Sequence, residues 1–114
     1  MENYNDLVLF QKLYDLFLWL HPILNKFPKS EKFVLAEQIE KCIIEIIKGV
    51  VMINYQKSKS RISAEDLSLE LDNLKVLMRL SKDLRFLSIK SYGIFSEKAV
   101  EAGKLLGGWQ KSLI

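Results

Sequence analysis

Apolar residues recur at intervals of three and four along four long segments of this chain, and that rhythm constrains its fold more than any other feature. A period near 3.6 belongs to α-helices, whereas half-buried strands alternate at two. Phe10, Leu13, Phe17, Leu20 and Leu24 form the first stripe; Leu35, Ile39, Ile43, Ile46, Val50 and Ile53 form the second. Leu67, Leu71, Leu74 and Met78 form the third, with Val76, Leu80, Leu84 and Leu87 beside it. The fourth opens at Ile89 and passes through Tyr92, Phe95, Ala99, Ala102, Leu106 and Trp109. The second segment is rich in β-branched residues, but it sustains its period far beyond the roughly 4–8 residues of a strand.

The breaks fall at Phe27–Ser30, Ser58–Ser63 and Arg85–Ser88, and they predict helices at about 7–25, 31–57, 64–85 and 89–107. Local chemistry agrees with these limits. Asp6 and Ser30 are expected to accept hydrogen bonds from the free amides at the first two helix starts. Ser63-Ala64-Glu65-Asp66 has a capping-box pattern, with a hydroxyl at the cap and an acid three residues on. Ser88 can cap the fourth helix, and Gly107-Gly108 frees the backbone to stop it. Pro22 lacks an amide hydrogen and its ring meets the carbonyl of Leu18, so a kink is expected there. Four helices with short connections alternate in direction. The expected architecture is all-α: an up-down-up-down antiparallel four-helix bundle, one domain spanning residues 1–114.

Composition supports this reading. Glycine and proline are scarce, at five and two of 114 residues, which argues against a sandwich of many short strands. Apolar residues make up 49% of the chain and the mean hydropathy is +0.06, too apolar for disorder. The surplus sits in Leu9, Leu16, Trp19 and Ile23, off the first stripe, and in Ile44, Ile47 and Val51, off the second. A bundle of this length buries only about two-thirds of its unfolded-chain surface, so the surplus points to contact between subunits. Lys12, Asp15 and His21 interrupt the apolar run Leu7–Leu24, so no membrane span is expected. The acidic N-terminus does not read as a signal peptide, and a single cysteine, Cys42, leaves no internal disulfide; a cytoplasmic location is expected.

Catalytic and metal chemistry find little to use. The one histidine, His21, has no glutamate three residues before it, and Cys42 has no companion ligand in sequence. No catalytic residue, metal ligand or cofactor is expected. Glu97 and Glu101 stand one turn apart, which suits a solvated face as well as an acid–base pair. Ala99, Gly103 and Gly107 recur every fourth residue, and such a row admits a second backbone at close range, from this chain or from another subunit. Phe17, Trp19, Gly103, Gly107 and Trp109 are the candidate oligomer-interface residues. For the two tryptophans, periodicity leaves core and interface both open.

The net charge is +3, which permits an acidic partner without requiring one. Lys75, Arg79 and Lys82 fall at i, i+4 and i+7 on the third helix, and Arg85 lies one turn on. Lys57, Lys59 and Arg61 add three charges in the preceding loop with no acid between them. Acids first and bases last also complement the helix dipole, so a solvated face and a phosphate-tracking stripe are both consistent with this pattern.

Tyr14-Asp15-Leu16-Phe17-Leu18-Trp19-Leu20-His21-Pro22, then Lys26-Phe27-Pro28-Lys29-Ser30, and the ending Gly103-Lys104-Leu105-Leu106-Gly107-Gly108-Trp109, resemble the accessory variability determinant of diversity-generating retroelements. The similarity covers roughly residues 10–110. Proteins encoded in intervening sequences of 23S ribosomal RNA belong to the same four-helix superfamily and are the closest rival assignment. The resemblance implies a homopentameric barrel. It also implies a non-enzymatic partner of a reverse transcriptase that binds RNA or an RNA–DNA hybrid and supports mutagenic retrohoming. By position, it assigns nucleic-acid contact to Lys75, Arg79, Lys82, Arg85 and the preceding loop. A structural homo-oligomer without a nucleic-acid role is the other alternative.

Overall fold

The structure is a computed structural model that describes residues 4–56 and 62–112. It contains helices α1 (Tyr4–Leu24), α2 (Glu37–Gln56), α3 (Ala64–Asp83) and α4 (Ile89–Ser112), and no strand among the described residues. A helical turn, Lys29–Glu31, and a π-helical turn, Lys32–Ala36, lead into α2. Each helix packs on the next, and α1 closes the bundle against α4. Placed end to end, α3 and α4 would span about 66 Å at 1.5 Å per residue. The molecule is only 42 Å long, so these helices lie side by side and reverse direction at their connection.

The stripes of α2, α3 and α4 meet in one core. Ile39, Ile43, Ile46 and Val50 pack with Leu71, Leu74, Met78, Phe95, Leu106 and Trp109, all nearly or fully buried. In α1 the buried stripe is Leu9, Leu13, Leu16, Leu20 and Leu24, one position off the expected one at two places. Phe10 and Phe17 are half-buried instead. A helix apolar over most of its circumference offers two adjacent stripes, and packing against α2 and α4 selects between them. By length and composition alone Asp6–Leu24 would suffice to cross a membrane; here its leucine stripe packs into the bundle core.

Several helix ends differ from expectation. α1 begins at Tyr4, which places Asp6, 3% exposed, inside the first turn rather than at the cap. Pro22 falls in the last turn of α1, where it leaves the Leu18 carbonyl without its helical donor. The chain then tightens through Lys26 N–H to Ile23 O and Phe27 N–H to Leu24 O, both 3.1 Å. Ser30 is not a cap: Pro28 holds that position, and its carbonyl accepts from Glu31 at 2.8 Å and Lys32 at 3.1 Å. α4 continues through Gly107-Gly108 to Ser112. Trp109, 1% exposed, stabilises that continuation by burying its ring.

The other end signals behave as the sequence predicts. Ser63 Oγ accepts from Asp66 N–H at 3.1 Å, and Asp66 Oδ2 accepts from Ser63 N–H at 2.8 Å, a complete capping box. Ser91 N–H donates to Ser88 Oγ at 3.0 Å at the start of α4. α2 and α3 approach closely at Gly49, where a Cβ would collide with the Leu67 side chain. Glu70 accepts from the buried Cys42 thiol across the same pair of helices.

Candidate nucleic-acid interface

The basic stripe of α3 forms as the spacing predicts, but it is threaded with acids. Lys75 Nζ lies 3.7 Å from Asp72, Arg79 Nε 4.0 Å from Asp83, and Lys82 Nζ 3.3 Å from Asp83. All three pairs are local to the helix and solvent-exposed on at least one side, so each is worth about 0.2–1 kcal/mol. Lys82 also places its ammonium 4.7 Å from the centroid of the Tyr92 ring on α4. Among the described residues no carboxylate lies within salt-bridge distance of Arg85. Lys57, Lys59 and Arg61, the loop part of the expected basic set, lie outside the described residues.

Arg85 occupies an unusual backbone. Its φ is +66°, the one positive value at a non-glycine position among the described residues. Leu84 caps α3, and two hydrogen bonds close the end: Arg85 N–H to Lys82 O and Phe86 N–H to Ser81 O, both 2.9 Å. This is the Schellman pattern, whose left-handed position glycine normally fills. Phe86 then packs 6.0 Å from Phe27, pinning the corner to the end of α1. The sequence places a break here but carries no glycine to show the left-handed residue.

Beyond this turn, Lys82, Asp83, Arg85, Leu87, Ser88, Ile89 and Tyr92 line a shallow concavity of about 820 Å³. Ile89 is 81% exposed rather than part of the core stripe. The cation–aromatic contact is not legible in the sequence, where Tyr92 falls on the core period of its own helix.

The expected interface residues separate by burial. Trp109 lies inside the protomer's own core and offers no surface to another subunit. Trp19 is half-buried under Lys98, whose ammonium stands 5.6 Å from its ring. Phe17 stacks on His21 at 5.7 Å. A Cβ at Gly103 would meet only Leu71, at 3.7 Å, and one at Gly107 would meet nothing within 4 Å. The small-residue row therefore marks no tight approach within this chain. The larger unpartnered feature is a set of outward apolar stripes opposite the core: Leu7, Tyr14 and Leu18 on α1, Ile44, Val51 and Tyr55 on α2, and Leu69, Val76 and Leu80 on α3. Their seven- and four-residue spacing is readable in the sequence once the buried face is known.

Other titratable groups link the helices. His21 Nδ1 meets Glu40 Oε1 at 3.0 Å, joining the end of α1 to α2. Lys12 meets Glu101 at 2.9 Å; the hydrogen bond and then the charge of Glu101 hold the lysine above its ordinary pKa. Burial, followed by the Glu70 hydrogen bond and charge, pushes the Cys42 thiol up to about 12. Among the described residues no cluster of three or more His, Cys, Asp or Glu is arranged to hold a metal.

Searches among curated proteins and among solved structures return no match. The bAvd-like family matches residues 7–113, a span that covers all four helices from the first turns of α1. That span takes in the tryptophan-proline segment of α1, the basic stripe and the glycine-rich end of α4, and the chain belongs to the bAvd-like family.

Proposed function

We propose that this protein is a non-enzymatic accessory component of a diversity-generating retroelement. It binds the element's reverse transcriptase and its template RNA or cDNA in the cytoplasm, as a homopentamer, and supports mutagenic retrohoming. The observation that carries the reading is family membership across residues 7–113. Two features support it. The α3 stripe and Arg85 present a line of cations that a ring would repeat in each subunit, multiplying a net charge of +3 per chain. The outward stripes on three helices supply apolar surface for subunit contact.

Replacing both Arg79 and Lys82 by Ala should weaken binding to structured RNA and to an RNA–DNA hybrid alike, because phosphate contacts position without reading sequence. The salt slope should flatten by about one unit per contact removed. Fluorescence anisotropy across a salt series measures both. Wild-type protein that binds neither probe in a salt-dependent way at low micromolar concentration would sink the nucleic-acid part; a monomer in light scattering would sink the ring.

A second reading, a structural oligomer or intervening-sequence relative with no retroelement role, is favoured by the Asp72 and Asp83 carboxylates that partly neutralise the stripe. It predicts an oligomer whose RNA affinity does not change when Arg79 and Lys82 are removed.

A further inference from the structure

We propose that the α3–α4 corner is a pocket for one unpaired nucleotide of single-stranded RNA, its phosphate held by Lys82 and Arg85 and its base laid on the Tyr92 ring. The proposal rests on the nucleic-acid reading above and adds a strand preference that a phosphate stripe alone does not have.

Three observations meet at this corner. Arg85 is held at φ +66° where glycine would sit without strain. A backbone cost kept at a surface turn, with an exposed guanidinium as its result, points to use of that side chain. The Lys82 ammonium stands 4.7 Å from the Tyr92 ring centroid, so this ring face already holds a cation that an arriving strand would displace. The concavity of about 820 Å³ is of the size that takes a small organic ligand. Leu87 and the exposed Ile89 give it an apolar side, which suits the face of a base rather than a second phosphate.

The exchange on binding is simple. An arriving phosphate draws the Lys82 ammonium off the ring, and the base takes the vacated face. Asp83 also lines the concavity, paired with Arg79 and Lys82, and its charge opposes any phosphate there, so the base contact must supply the added affinity. Arg79 and Lys75 continue the line of cations up α3 for the neighbouring phosphates. A duplex cannot use the pocket, because its bases are stacked inside; only a splayed base reaches an aromatic ring.

The test compares a short oligouridine with an RNA duplex of the same length by anisotropy at fixed salt. Tyr92→Leu should weaken oligouridine binding about tenfold or more, the effect of losing one base–aromatic stack, and leave duplex binding unchanged. Tyr92→Phe should retain wild-type affinity for both. Equal losses on both probes, or no loss on either, would overturn the pocket while leaving the phosphate stripe in place. Absence of salt-dependent binding by the wild type would overturn both readings. Since Tyr92 also packs against the core, the wild-type protein supplies a second readout: oligouridine should shift the amide resonances of Arg85, Ser88 and Tyr92 in a ¹H–¹⁵N spectrum. Shifts confined to residues 75–82 overturn the proposal. Uridine monophosphate and inorganic phosphate, titrated separately, distinguish a free nucleotide or adventitious anion from a strand; a response to phosphate alone at the same concentration also overturns it.

Discussion

Arg85 combines a left-handed backbone with the side chain proposed above to hold a phosphate, and the two make opposite demands. Its left-handed backbone costs about 1 kcal/mol relative to glycine, and the Schellman turn would form equally well with a glycine in its place. Arg85→Gly should therefore raise protomer stability by about 0.5–1 kcal/mol in urea titration while weakening RNA binding. A loss of stability would mean that the arginine side chain, not the backbone, holds the corner. Cys42 is the opposite case, a group made inert by its surroundings. With a thiol pushed to about 12 from an ordinary 9.0, the folded state favours the protonated form. Its contribution to stability is present below pH 9 and is lost as the pH rises from 9 towards 12. Native protein at pH 8 should react with iodoacetamide at less than about a tenth of the rate of urea-unfolded protein; equal rates would show Cys42 to be accessible. Neither property is legible in the sequence. The positive φ has no glycine to announce it, and the thiol's partner Glu70 lies on another helix.

At the scale of the element, glycines in helices have two distinct meanings here. Gly49 is an approach point, where α2 comes too near Leu67 for a Cβ. Gly107 faces open space within the protomer. Gly49→Ala should destabilise by about 1–3 kcal/mol from overpacking, less the roughly 1 kcal/mol that alanine contributes to a helix. Gly107→Ala should stabilise the protomer by up to about 1 kcal/mol. Thermal unfolding of the two variants in parallel checks the pair, and a reversed order would contradict the packing at Gly49. Sequence periodicity locates all four helices and the core positions of α2, α3 and most of α4, where the longest unbroken stripe is the one that packing buries. It misplaces the buried stripe of α1, where Phe10 and Leu9, or Phe17 and Leu16, are equally apolar, and only the neighbouring helices decide. The π-helical turn at Lys32–Ala36 has no composition signal of its own, so the entry into α2 reads as an ordinary helix start capped by Ser30.

On the scale of the whole molecule, the basic set is readable as residues but not as a surface. The spacing of Lys75, Arg79 and Lys82 defines the stripe, whereas the Tyr92 ring across the corner and the Asp83 carboxylate shared by two of the cations depend on how the side chains settle once α3 and α4 pack. The apolar surplus resolves into outward stripes, and those stripes make a concrete demand. Val76 is 65% exposed on the face of α3 opposite the core. Val76→Glu should leave the unfolding temperature of the isolated protomer within a few degrees, as surface changes usually stay within about 0.5 kcal/mol, while lowering the mass measured by light scattering. A wild-type oligomer whose mass the substitution leaves unchanged would have its contact on another face, and a monomeric wild type would leave the outward stripes without a subunit partner. The order of packing has a kinetic consequence as well. α1 meets α2, α2 meets α3 and α3 meets α4, each pair drawn together across a short stretch of chain; only the α1–α4 contact joins the two ends. Such local wiring favours folding on the microsecond-to-millisecond scale typical of helical bundles. It also makes closure of α1 onto α4, clipped by Lys12 and Glu101, the natural final event of folding.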